Sequence, residues 1–194
     1  MTRNKTVILV AWTPELENLS DTDRQRLLDN NIEIKVTGVG KVNAAMAACK
    51  YASRFKRIIN VGTAGSHTYD VGSLVKPTKF AQRDMRVETF GFPSFLTPGE
   101  EKPFLTIRGK EDGPTCWTGD NANGYAETTE QHPTFDVVEM EAYAIAKVCR
   151  ENNREFIAYK HISDKAGEDA KKQFEENVTG IPWTQIIDEI LTLD

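Results

Sequence analysis

Apolar residues in this chain fall into short unbroken runs separated by stretches of helical period. Val7-Ile-Leu-Val-Ala-Trp12 is such a run, closed by polar residues and Pro14, the pattern of a strand buried on both faces in a parallel sheet. Ser20 supplies an N-cap for a helical stretch to Leu28, which Asn30-Asn31 stops. A second strand, Ile32 to Thr37, runs into Gly38-Val-Gly40, and the Ala-rich stretch Val42 to Ala52 reads as helix. A third, Ile58 to Val61, also opens into glycines, Gly62-Thr-Ala-Gly65.

From Asp70 to Trp117 the helical period disappears, and Val71, Leu74, Val75, Phe80, Val87, Phe90, Leu105 and Ile107 stand among Gly, Pro and charges as shorter strands and loops. Residues 91–104, with Pro93, Pro98 and Pro103, are expected to form a loop, ordered or mobile. Asp136 to Glu139 then leads into a helix, Met140 to Arg150, with Met140, Ala144 and Val148 on one face. Phe156 to Ile162 is another buried strand, followed by Ser163-Asp164, and helices near Asp169–Asn177 and Trp183–Leu191 finish the chain. The alternation predicts an α/β fold, residues 1–194 as a single domain, with a mostly parallel mixed central sheet and helices on both faces. Ligands of such sheets bind outside the carboxyl ends of the strands. That rule singles out Glu15, Gly38 to Gly40, Thr63, Glu139 to Glu141, and Ser163-Asp164.

Composition narrows the partners. With 24 Lys and Arg against 29 Asp and Glu, the net charge of −5 gives counterion release little to work on, so no nucleic acid is expected. The longest apolar run is a strand's length, too short for a membrane span or a signal peptide, although Arg3 and Lys5 precede it. The expectation is a cytoplasmic protein with no membrane partner. Cys49, Cys116 and Cys149 are odd in number and widely spaced, and His67, His132 and His161 are equally scattered, so neither disulfides nor a metal site is expected; with no glycine motif that meets a dinucleotide or phosphate-loop pattern, no cofactor is expected either.

Gly38-Val-Gly-Lys-Val-Asn43 starts like a dinucleotide fingerprint but has Asn43 at the third glycine position, and Val42 stands where a phosphate loop needs Ser or Thr. A tight strand-to-helix turn explains these glycines, and Gly62-Thr-Ala-Gly65 reads the same way, although Thr63 could hold a small anion or a sugar hydroxyl. Glu139-Met-Glu141 places two carboxylates where a buried strand meets an apolar helix. The helix dipole repays a first-turn acid by about 0.3–1 kcal/mol, enough to explain one of them. Asp164 by itself could be a turn former, and Glu15 an exposed acid behind Pro14. Taken together, acids at three strand ends of one sheet edge suit cleavage of a glycosidic bond. Its oxocarbenium-like transition state needs a carboxylate to activate water, an acid for the leaving group and groups that hold the sugar hydroxyls.

At these residues the sequence resembles the nucleoside phosphorylase superfamily, and within it the 5′-methylthioadenosine/S-adenosylhomocysteine nucleosidases. The matching stretches are Val39–Ala45, Ile59–Gly65 with Asp70–Val75, Val87–Phe92, Val138–Ala146 and His161–Asp164, in family order. The resemblance implies a three-layer nucleoside phosphorylase-like fold and a hydrolase acting on a small-molecule purine nucleoside. It implies that Glu15 activates water and that Asp164, held by Ser163, protonates the base at N7. Glu141 would take the ribose hydroxyls, with Met140 under the sugar and Thr63 near the water. Trp12 and Phe174 match residues around the 5′-substituent. Val87, Phe90 and Phe92 match residues that reach a neighbouring subunit's pocket, so a homodimer is implied. Gly119–Gly124 aligns with the base-binding stretch, where Asn123 is a candidate contact; Ala122 stands where the family has a stacking ring, leaving Trp117 or Tyr125 to replace it. Lys160 and His161 precede the acid, and a cation there could favour a phosphate-bearing substrate. The alternatives are a phosphate-dependent phosphorylase, disfavoured by Pro14-Glu15 and Asn60-Val61 where phosphate-holding arginines belong, and a catalytically silent nucleoside-binding protein.

Overall fold

The computed structural model describes residues 5–107, 111–122, 128–130, 132, 134–167 and 169–193. β1 (Thr6–Val10) is buried along its whole length between two parallel neighbours, β2 (Ile32–Val36) and β3 (Arg57–Gly65). β9 (Glu155–Asp164) runs parallel to β3 from Arg57 to Gly65, and β4 (Leu74–Val75) pairs antiparallel with it. At Gly65 the sheet continues through an antiparallel contact to β8 (Val137–Glu139), then β7 (Thr115–Thr118), β5 (Lys79–Gln82) and β6 (Leu105–Thr106). Most of the described pairings are parallel, as the alternation of strands and helices predicts.

Strand alternation divides the core into layers. Val7 and Leu9 of β1, with Ile58 of β3, face α2 (Lys41–Ala52) and α3 (Ala142–Glu151) through Ala44, Ala48, Ile145 and Cys149. Ile8 and Val10, with Ile59 and Val61, face α1 (Asp21–Asp29) and α5 (Trp183–Leu191) through Leu27, Trp183, Ile186 and Ile190. The expected three layers are present. Ser20 caps α1, its hydroxyl accepting the Asp23 N–H at 3.0 Å.

Three expectations are corrected. β1 ends at Val10, and Thr13–Leu16 form a 3₁₀ turn with Pro14 in its first turn. β3 does not stop at Val61 but runs through Gly62-Thr-Ala-Gly65, so those glycines lie in a strand and not in a turn. α3 begins at Ala142, because the Glu139 carboxylate takes the N–H groups of Glu141 and Ala142 and ends the strand there. Met140 therefore lies outside the helix.

The Pro-rich segment is anchored. Phe95, 1% exposed and at φ +64°, inserts among Trp117, Phe135 and His132. Farther along, Glu100 binds Arg150 at 2.7 and 2.8 Å and also Lys147, both on α3.

Candidate active site

A cavity of about 360 Å³ opens at the carboxyl ends of β1, β3, β8 and β9, and Glu15, Glu141 and Asp164 all line it. Each acid is held differently. Glu15, on the 3₁₀ turn, is 4% exposed, so the reading of a surface acid fails. Its Oε1 accepts the Thr63 N–H at 2.7 Å and the Thr63 hydroxyl at 2.9 Å, and its Oε2 accepts the Trp12 N–H at 3.1 Å. The Trp183 indole N–H donates to the Glu15 carbonyl at 2.9 Å and locks the turn against α5. These contacts fix the orientation of the Glu15 carboxylate at the cavity wall.

Asp164 ends β9. Its Oδ1 accepts the Ala166 N–H and its Oδ2 the Ser163 hydroxyl, each at 2.8 Å. Ala166, at φ +54°, turns the chain back over the carboxylate. β3 separates the two acids, and its glycines make room for them. A Cβ on Gly62 would stand 3.0 Å from Glu15 Oε1, and one on Gly65 2.5 Å from Asp164 Oδ1.

Glu141 projects from the start of α3, where its Oε1 accepts the Gly40 N–H at 2.7 Å. Burial, and then the neighbouring Glu139 carboxylate, push it up to about 7. Gly40 sits at φ +94°, a conformation that suits glycine and turns its N–H toward the acid. Met140 and Val39 complete this part of the wall. Trp12 stacks on Phe174 of α4 (Ala170–Asn177) at 6.2 Å and 15° on another part of the lining.

Other expected residues lie elsewhere. Trp117 is packed against Phe135 at 4.8 Å and Phe95 at 5.1 Å, so it does not replace the missing ring. Ala122 lines the cavity beside Asn121 and Arg83, while Asn123 and Tyr125 lie outside the described residues. Lys160 is no cation for a substrate phosphate: it is 1% exposed and paired with Glu139 at 2.8 Å. His161 points to the opposite face, toward Gly180. Val87, Phe90 and Phe92 stand outside this cavity, with Phe90 79% exposed.

Sequence reasoning missed Arg83, whose guanidinium donates to the Gly119 carbonyl at 3.1 Å, to Asn121 Oδ1 at 3.0 Å and to the Asn121 carbonyl, fixing the wall around Ala122. Its only signal was a charge at the end of the apolar run Phe80-Ala81. The Gly40 N–H was also missed, because backbone donors carry no residue signature.

The model of the phosphorylase superfamily matches residues 24–181. The chain belongs to the phosphorylase superfamily. Among its relatives in that superfamily, the 5′-methylthioadenosine/S-adenosylhomocysteine nucleosidase of Bacillus pumilus is 30% identical over 171 residues, covering 76% of this chain and 74% of the relative. The protein of the same name from Bacillus cytotoxicus is 27% identical over 192 residues, with 84% and 81% covered. In fold, this superfamily member matches the Streptococcus pneumoniae MTA/SAH nucleosidase solved with 8-aminoadenine, at a TM-score of 0.80 and 22% identity over 97% of this chain and 100% of that one. The Neisseria meningitidis nucleosidase solved with methylthio-immucillin-A gives a TM-score of 0.80 at 24% identity, again over 97% and 100%.

Proposed function

We propose that the protein hydrolyses the N-glycosidic bond of an adenine-type purine nucleoside such as methylthioadenosine or S-adenosylhomocysteine. The reading is carried by the convergence of Glu15, Glu141 and Asp164 on one cavity, and the names of the Bacillus relatives support it. Glu15 takes a proton from the attacking water as its oxygen bonds to C1′ of the sugar. The C1′–N9 bond breaks, Asp164 delivers a proton to N7 of the departing base, and free base and free sugar result. Glu141 accepts hydrogen bonds from the ribose 2′- and 3′-hydroxyls, with Met140 beneath the ring. Thr63 orients Glu15 and the water through the hydroxyl that already binds Oε1. Trp12 and Phe174 face the 5′-substituent.

The same reading includes a homodimer, in which Val87, Phe90 and Phe92 complete a second copy's cavity. Phe90 is 79% and Phe92 39% exposed on a segment otherwise tied down, which supports a partner surface there.

A base-release screen across methylthioadenosine, S-adenosylhomocysteine, adenosine, inosine and AMP tests the function. Adenine release without added phosphate, abolished in Asp164→Asn, is the expected result. A sugar 1-phosphate formed only when phosphate is added would move the protein to the phosphorylases, and nucleoside binding without base release would make it a silent binder.

A further inference from the structure

The reaction just described makes no use of a fully buried ion pair beneath the sugar side of the cavity. Lys160 Nζ donates to Glu139 Oε2 at 2.8 Å, the two residues being 1% and 5% exposed. The same Oε2 accepts the N–H groups of Glu141 at 3.0 Å and Ala142 at 2.8 Å, and Oε1 takes the Thr118 hydroxyl. That hydroxyl in turn accepts the Tyr143 N–H at 2.9 Å. Four donors thus converge on one carboxylate, and a proton on it would displace one of them. A proton entering this cluster therefore goes to Glu141. Burial disfavours charge on Glu139, but Lys160 and these donors outweigh it and hold the acid below the usual carboxylate range.

We propose that Glu139 and Lys160 act as a positioning pair for Glu141, Glu139 fixing the backbone from which it projects and Lys160 keeping it a hydrogen-bond acceptor for the sugar. The assignment rests on the nucleosidase reading for its substrate, and on geometry for its parts. The groups that act on Glu141 are Glu139 from β8, Lys160 from β9, Glu15 from the turn after β1 and the Gly40 N–H ahead of α2. Asp164 lines the same cavity, and burial keeps the Cys116 thiol of β7 neutral. Arg83, tied to Gly119 and Asn121, and Lys171 of α4 also line the cavity, but Lys160 is the cation that acts on Glu141. Without it, two neighbouring carboxylates compete for one charge, and Glu141 yields because Glu139 keeps its other donors.

The test is the pH dependence of KM for methylthioadenosine in Lys160→Met, Lys160→Arg and Glu139→Gln, each in the full chain. Lys160→Met should move the midpoint of the KM profile upward by about one pH unit or more, the size expected when a nearby opposite charge is lost. Lys160→Arg, which keeps the charge, should restore it, and Glu139→Gln should move it downward. A structural role alone would not displace the midpoint in opposite directions. A folded Lys160→Met with an unmoved midpoint overturns the proposal; if that variant does not fold, an unmoved midpoint in Glu139→Gln does so. Carbon-13 titration of the Glu141 carboxyl in the free protein reads the same shifts without turnover. It decides the question even if the wild-type protein releases no base, an outcome that would sink the nucleosidase reading instead.

Discussion

Burial and the adjacent Glu139 carboxylate push Glu141 up to about 7, so its ionised and protonated forms are both populated near neutral pH. Only the ionised form offers charged acceptor oxygens to the ribose hydroxyls, and charge-assisted hydrogen bonds are roughly twice as strong as neutral ones. KM for methylthioadenosine should therefore rise as pH falls through about 7 and level off about tenfold higher on the acid side. Glu141→Gln should flatten that profile and raise KM about tenfold, the worth of about 1.4 kcal/mol. Glu15→Gln should behave differently, lowering kcat severely at nearly constant KM, because a base that acts only in the transition state adds nothing to ground-state binding. Steady-state kinetics from pH 5.5 to 8.5 separate the two. Glu15 was legible only in company with the other acids. Alone behind Pro14 it reads as exposed, and the Trp183 indole that holds its turn lies too far along the chain for a local pattern to connect them.

At the level of elements, the runs of β1, β2, β3 and β9 and the Ser20 cap of α1 could be read in advance, since burial on two faces leaves an unbroken apolar run and a helix start needs an acceptor for its free N–H groups. The far half of the sheet was not so legible. β5 to β8 are two to four residues each, too short to establish a period among Gly, Pro and charges. The glycines of β3 were misread for a different reason: glycine signals a turn in one dimension, whereas here it clears space for carboxylates brought in from residues 15 and 164. Gly65→Ala should consequently leave β3 formed yet displace Asp164 or Ala166, since its Cβ would meet them at 2.5 and 3.0 Å. A misplacement of that order costs about 10²-fold in kcat. Unchanged kcat in a Gly65→Ala protein with a native circular dichroism spectrum would contradict this placing of Asp164. The anchored segment offers a second test. Arg150, and then Lys147, hold Glu100 down to about 2, so its contribution to stability is complete above about pH 4.5 and is lost as pH falls through about 2. After allowance for solvent screening that contribution is about 1 kcal/mol. Glu100→Gln should unfold at lower denaturant than the wild type at pH 7, with the difference closing toward pH 2.

For the molecule as a whole, the exposed apolar residues matter most where they meet anchored structure. Phe90 and Phe92 sit between points of attachment: the Phe95 N–H donates to the Met85 carbonyl at 3.0 Å, the Phe95 ring is buried in the aromatic cluster, and Glu100 is pinned to α3. A segment so constrained cannot fold its aromatics back into its own core, and leaving them in water forgoes about 1.5–3 kcal/mol for each fully buried ring. In the proposed dimer a second copy of the chain takes both rings out of water, and the rings wall that copy's cavity. Replacing both with serine should raise the dimer dissociation constant by about 10²-fold or more, the equivalent of about 3 kcal/mol or more. The unfolding midpoint of the isolated chain should change little, since neither ring belongs to the buried core. Activity should fall along with assembly, and should recover in part as protein concentration is raised and dimers re-form. Sedimentation and kinetics measured over the same concentration range would follow both quantities. A double variant that remains monomeric at every concentration yet keeps wild-type kcat/KM would show that each cavity is complete within one chain, and the loop's aromatics would then need another occupant.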